Sequence, residues 1–314
     1  MNPDLQTLLD HRHHVVTAAE TARLGLTPHE LSREVAHGHL MRLARGAYAD
    51  VGVFRSGSDR TQHCLRARCV LATLPDGLAL SHHSAAALWG LPWLGIFPHN
   101  VHVTRGTPGQ YRQSATHTIH RDSAGSNVCL IEGLCVVEPA YALLGVAAHH
   151  GFKQTVVALD AALHAKTLDM ARLDAILEAE RLRVGHRALA AARQTADAAS
   201  ESPGESLTRL LLRDLGYALR SQVEIRASGP SFLARVDFML TNHRVVIEFD
   251  GLVKYADGEG SANRQALVRE KAREDRIRSL GFEVVRLVWA DLYRPERVRS
   301  LLEAACIRAS RRAA

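Results

Sequence analysis

The stretch from Arg235 to Lys254 sets acidic side chains among apolar ones, in the order Arg-Val-Asp-Phe-Met-Leu-Thr-Asn-His-Arg-Val-Val-Ile-Glu-Phe-Asp-Gly-Leu-Val-Lys. Alternation along Val246 to Asp250 puts Glu248 and Asp250 on one face of a strand, with Ile247 and Phe249 on the other. If a paired strand brings Asp237 to the same end, the carboxylates converge. Gathering anions in this way costs free energy unless a cation is shared among them. Oxygen-rich sites suit Mg²⁺ or Mn²⁺, and Lys254, close behind, supplies positive charge. Metal-activated water beside carboxylates and a lysine is the equipment of phosphodiester hydrolysis. The same spacing also suits a plain hairpin whose acids face water.

Positioning these groups takes a strand through Asp237, a polar turn at Thr241 to Arg244 and a second strand ended by Gly251. Upstream, Ser202-Pro203-Gly204-Glu205 is a capping-box pattern that opens a helix running to Gly216, with Leu207, Leu210, Leu211 and Leu215 as its buried stripe. Gln222 to Ile225 reads as an opening strand. Downstream, Asp257 to Asn263 reads as a loop and Arg264 to Leu280 as a helix of alternating charge. Phe282 to Trp289 follows as a buried strand, then a last helix from Pro295 and a fraying basic tail from Arg308 to Ala314.

An acid ending one strand, an acid pair on the next and a nearby lysine resemble the PD-(D/E)xK nuclease core. Val-Asp-Phe followed by Ile-Glu-Phe-Asp-Gly is similar, more narrowly, to very-short-patch-repair-like endonuclease domains, over about Ser202 to Ala305. The resemblance implies a restriction-endonuclease-like α/β core. It makes Asp237 the central metal ligand and Glu248 its partner, with Asp250 or Glu205 completing the shell or orienting the water. It also raises Glu205, which has a capping role of its own, to a candidate active-site acid. The sequence departs from the superfamily at the position two after Glu248, where Asp250 stands in place of lysine. Lys254 or Lys271 would have to supply the charge, or nothing does, and Arg264 and Lys271 could hold phosphates of the scissile strand.

Length and composition frame these readings. A chain of 314 residues exceeds what one core organises. An α/β multidomain protein is expected, with a winged helix-turn-helix over 1–57, a mixed α/β domain over 58–199 and the nuclease-like domain over 200–314. The net charge of +6, nearly all from arginine, favours a polyanionic partner. Cys64, Cys69, Cys129, Cys135 and Cys306 are scattered and odd in number, which fits reduced thiols in a cytoplasmic protein better than a disulfide framework or zinc site. No segment approaches the ~20 apolar residues of a membrane span, so no membrane partner is expected.

At the N-terminus, Val15 to Leu26 reads as a short helix with Thr17 at its start and Gly25 at its end. Thr27-Pro28-His29-Glu30 caps a second helix, which runs to about Ala36 and turns Leu31 and Val35 inward. His39 to Ala49 alternates as a hairpin about Gly46. Helix, turn, helix and wing is the winged helix-turn-helix order. The segment resembles the N-terminal domain of AbiEi-type antitoxins, with Arg-Gly-Ala-Tyr forming the wing. That resemblance implies double-stranded DNA as partner, with Arg42 and Arg45 on phosphates and His29, Ser32 and Arg33 facing bases. A cognate toxin or defence partner is implied as well. A winged helix serving only protein contacts would show the same pattern.

In the middle, His63 to Leu74, Ser81 to Leu91, Pro139 to His149, Lys153 to His164 and Met170 to Glu180 read as helices. Val101 to Thr104, Thr116 to His120, Val128 to Ile131 and Cys135 to Val137 read as strands. His82, His83, His102, His117, His120, His149, His150 and His164 show no metal-ligand spacing and read as structural or solvated. The sequence thus carries two functions: a metal-dependent DNA endonuclease directed by a winged helix in phage defence or repair, or a non-catalytic DNA-binding regulator of the AbiEi antitoxin type with a degenerate nuclease domain.

Overall fold

The computed structural model describes residues 2–105, 110–121, 128–226, 232–251 and 271–313. The chain divides into two compact units, Met1–Gln194 and Thr195–Ala314, and it is a mixed α/β protein with three separate sheets. Among the described residues, no helix is long and apolar enough to cross a membrane.

The first unit opens with α1 (Pro3–His11), β1 (Val15–Thr17), α2 (Ala18–Arg23), α3 (Pro28–Ala36) and the hairpin β2 (Leu40–Ala44) and β3 (Ala47–Asp50). Both expected capping boxes form: the Thr17 and Thr27 hydroxyls accept from the Glu20 and Glu30 amides, and each glutamate accepts from the threonine amide in return. Pro28 takes the first turn of α3, where its missing N–H is harmless. Leu31 is buried and Val35 packs beside Leu5, Leu9, Val16, Leu26 and Leu40. Two elements differ from the sequence reading. Pro3–His11 is a helix, capped by the Asn2 side chain. Val15–Thr17 is a strand paired with β3, Val16 lying opposite Tyr48. The two β-branched valines before the cap prefer the extended pairing, and the helix begins only after Thr17.

The unit continues through α4 (Val51–Ser56), α5 (Asp59–Leu71), β4 (Leu78–Leu80), α6 (His82–Leu88), β5 (Val101–Arg105), β6 (Arg112–Gln113) and β7 (His117–His120). It is completed by β8 (Val128–Ile131), β9 (Leu134–Val137), α7 (Pro139–His149), α8 (Gly151–His164), α9 (Met170–Ala179) and α10 (His186–Thr195). A six-stranded sheet runs in the order β6-β7-β5-β4-β9-β8. β5 and β7 pair in parallel, while β6 pairs antiparallel to β7 on its other side. The small hairpin and this sheet share one core, in which Ala44, Ala47 and Ala49 join Leu65, Val70, Leu80, Val101, Val103 and Ile119.

The second unit contains α11 (Pro203–Asp214), β10 (Leu219–Arg226), β11 (Phe232–Leu240), β12 (Val245–Phe249), a helix α12 described over 271–279, β13 (Glu283–Leu287) and α13 (Pro295–Ala313). Its sheet order is β10-β11-β12-β13. The first three strands are antiparallel and β13 lies parallel to β12. Val245 and Ile247 pack with Leu212, Val298 and Leu302 of α11 and α13. Val246 packs on the other side with Ile277 of α12.

The described part of the basic tail, to Ala313, is helical. α13 continues to Ala313 because Arg308 and Arg312, one turn apart, both pair with Glu283 at 2.9 and 2.8 Å. Glu283 is only 1% exposed, and a buried carboxylate needs such partners.

Candidate functional site

Phe238 lies opposite Ile247 and Met239 opposite Val246. Alternation breaks at Asp237: Val236 packs with Val246 on one side of the sheet, whereas Phe238 packs with Ile247 on the other. The Asp237 carboxylate accepts a hydrogen bond from the Phe249 amide at 2.8 Å. Burial pushes its carboxyl up to about 6; the charges of Glu205 and Glu248 add to the rise, against the Phe249 bond and the Arg273 guanidinium. Glu248 is itself buried, at 8% exposure. Asp237, Glu248 and Glu205 therefore share one neighbourhood, assembled from β11, β12 and the start of α11.

Gly204 makes this assembly possible. A Cβ there would fall 1.9 Å from the Phe249 ring, so only glycine lets α11 start so close to the end of β12. Glu205 is engaged at the helix start by three hydrogen bonds. Its Oε1 accepts from the Ser202 hydroxyl, and its Oε2 accepts from the Glu201 amide and the Gln222 side chain. Gln222 gives no sequence signal, yet it takes a left-handed φ of 48° on β10, and β10 register places it opposite Asp237. Such backbone strain in a non-glycine residue is costly unless neighbours enforce it.

Cations already face the acids. Arg273 of α12 reaches Glu248 at 2.8 Å, and Arg286 of β13 lies 3.5 Å from Glu248 and 3.6 Å from Asp250. Glu248 Oε1 is buried without a hydrogen bond of acceptable geometry. Asp237 and Glu248 are two carboxylates of the kind that hold a hard cation together with water, but here the Glu248 charge is met by Arg273 and Arg286. Glu205 Oε2 already accepts two hydrogen bonds and Oε1 one, and Asp250 stands against Arg286. Lys254 and Arg264 lie outside the described residues, and Lys271 is an exposed residue of α12.

The nucleic-acid candidates of the first unit are all at the surface. His29, Ser32 and Arg33 are exposed on α3, and Arg42 and Arg45 are exposed on the β2–β3 hairpin, whose turn Gly46 makes at a φ of 75°. The Ser32 hydroxyl donates to the Pro28 carbonyl at 2.8 Å, leaving its oxygen as an acceptor.

The middle histidines are not scattered. His82 from the start of α6, His102 from β5 and His120 from β7 present ring nitrogens within 4.8 Å of one another, and His83, His149 and His150 surround them. Their sequence separation hid this grouping; its one sequence signal is the alternation that places a histidine on each of two strands.

Two curated mycobacterial proteins are similar to this chain. Uncharacterized protein Rv2248 and uncharacterized protein MT2308, from the H37Rv and CDC 1551 strains of Mycobacterium tuberculosis, are each 25% identical over 86% of this chain and 93% of their own length. The crystal structure of the RV2827C protein from Mycobacterium tuberculosis aligns with a TM-score of 0.38 and 19% identity, over 65% of this chain and 78% of that one. Residues 4–49, the span from α1 into β3, match the family model described as "Transcriptional regulator, AbiEi antitoxin".

Proposed function

We propose that this chain is a DNA-binding transcriptional regulator of the AbiEi antitoxin type, with duplex DNA and a cognate toxin as its partners. The observation that carries this reading is the coincidence of the matched residues 4–49 with a capped helix pair and hairpin that bear His29, Ser32, Arg33, Arg42 and Arg45 on their outer side. In a winged helix, α3 enters the major groove while the hairpin arginines grip phosphates. The acidic neighbourhood of the second unit is then a retained nuclease-like scaffold, its charges answered by Arg273 and Arg286 rather than by an ion.

A second reading, a metal-dependent DNA endonuclease, is favoured by one observation: the raised Asp237 carboxyl near buried Glu248. In it these two residues hold Mg²⁺ or Mn²⁺, which would activate water and relieve charge on the leaving oxygen. Asp250 and Glu205 would orient that water, and Lys254 or Lys271 would supply charge. Two measurements on the full chain separate the readings. Selection from a random duplex pool is expected to enrich one sequence class, with enrichment lost in a His29→Ala/Ser32→Ala/Arg33→Ala variant; a pool that stays random overturns the regulator. Supercoiled plasmid with Mg²⁺, Mn²⁺ or EDTA is expected to stay uncut; cutting that Asp237→Ala abolishes would install the endonuclease.

A further inference from the structure

Three imidazoles meet at one wall of a pocket of about 500 Å³ in the first unit. β5 and β7 run parallel with His102 opposite Thr118 and His120 opposite Thr104, so alternation carries both histidines to the same sheet face. His102 Nδ1 and His120 Nε2 stand 3.1 Å apart. His82 completes the group from the first residue of α6, where it holds a left-handed φ of 52°, a conformation that costs free energy in a residue with a Cβ. Its ring stacks on that of His120, centroids 3.8 Å apart and planes within 20°.

The surroundings are built for that ring. A Cβ at position 145 of α7 would lie 2.4 Å from the His82 ring and 2.8 Å from its Cα, so Gly145 is required for His82 to sit where it does. The other His82 nitrogen is fixed as well, its Nδ1 being 3.0 Å from the Ser81 hydroxyl, the kind of outer contact that orients a ligating imidazole. Burial first, and then the neighbouring rings, lower His82 and His102 below the ordinary imidazole value, and burial with His149 lowers His120.

We propose that His82, His102 and His120 form a tri-imidazole site for a first-row transition-metal ion, Zn²⁺ foremost, with a fourth coordination position open to the pocket. A tetrahedral ion with bonds of about 2.0–2.1 Å sets neighbouring nitrogens about 3.3 Å apart; the His102 and His120 nitrogens stand 3.1 Å apart, and one nitrogen from each of the three rings lies within 4.8 Å of the others. Imidazole without carboxylate favours Zn²⁺ and its borderline neighbours over Mg²⁺ or Ca²⁺. Tyr111, Arg121, His149 and Arg183 line the rest of the pocket, so water or a small anion is the fitting fourth ligand. The competing arrangement is an N–H···N bond between His102 and His120 with no ion, which the same 3.1 Å allows.

The test uses the full chain, free of a histidine tag, stripped with EDTA and titrated with Co²⁺ and then Zn²⁺. One equivalent of Co²⁺ with the strong visible bands of a four-coordinate site, displaced by Zn²⁺, is expected. His102→Gln and His120→Gln should each lower affinity by more than about 100-fold, beyond the 10–100-fold that outer contacts give, while His117→Gln on the same strand should leave it unchanged. Sub-stoichiometric uptake, or uptake unaffected by both glutamine variants, overturns the site. If a variant fails to fold by circular dichroism, X-ray absorption of the wild-type Co²⁺ form decides: three imidazole nitrogens uphold the site, and fewer sink it. Because the readout is metal alone, it stands or falls apart from any DNA-binding result.

Discussion

Asp237 in the folded chain holds its proton up to about pH 6, against an ordinary carboxyl value of 3.8. A raised carboxyl stabilises the fold fully below about pH 4 and gives up that contribution as pH climbs through 6. The loss by pH 8 is at most about 3 kcal/mol, reduced by whatever solvent reaches the group. Asp237→Asn keeps an oxygen for the Phe249 amide and removes the charge. It is therefore expected to melt higher than wild type at pH 8 and alongside it at pH 4, as thermal unfolding across that range will show. A variant no more stable at pH 8 would contradict the crowding of carboxylates at this spot. Alternation makes Glu248 and Asp250 legible as one face of a strand; that Asp237 joins Glu248 is only a condition on strand pairing, supported by the family resemblance. The arginines that answer them come from elements far along the chain, and no local pattern says which of many arginines will arrive. Gln222 is silent for a different reason: its strain is a property of backbone angles, which composition does not carry.

Helix starts are the most legible elements, since a Thr or Ser with Glu three residues on satisfies orphan amides whatever the rest of the fold does. Thr17, Thr27 and Ser202 all cap as their spacing predicts. The end of α13 is not legible, because the reason for it lies on β13. Arg308 and Arg312 neutralise Glu283 there, and removing both leaves a carboxylate that is 1% exposed without a partner. Arg308→Ala/Arg312→Ala is expected to destabilise the second unit by about 3 kcal/mol, read from the denaturant midpoint. Adding Glu283→Gln should recover most of it. If the triple variant is no better than the double, the loss belongs to helix packing rather than to charge. The strand at Val15–Thr17 reads as helix in the sequence because three residues are too few for periodicity to decide, and it is pairing with β3 that makes it extended.

For the whole chain, a net charge of +6 makes salt dependence the natural measure of any nucleic-acid contact. Under the regulator reading, Arg42→Ala/Arg45→Ala should weaken binding to all duplexes alike and lower the slope of log affinity against log salt by about 2, near 0.9 for each phosphate no longer neutralised. Fluorescence anisotropy from about 50 to about 200 mM salt reads this directly. An unchanged slope would remove the hairpin from the interface. The mixed α/β class is readable from alternating periodicities, but not the fact that the hairpin and the six-stranded sheet bury their apolar sides together. Close-packed interiors pass strain on instead of absorbing it. The strand that carries His102 and the hairpin that carries Arg45 thus lean on one another through a common set of side chains. If a guest lodged among the imidazoles alters how firmly a duplex is held, reciprocity requires that a gripped duplex alter how firmly the guest is held, by the same factor.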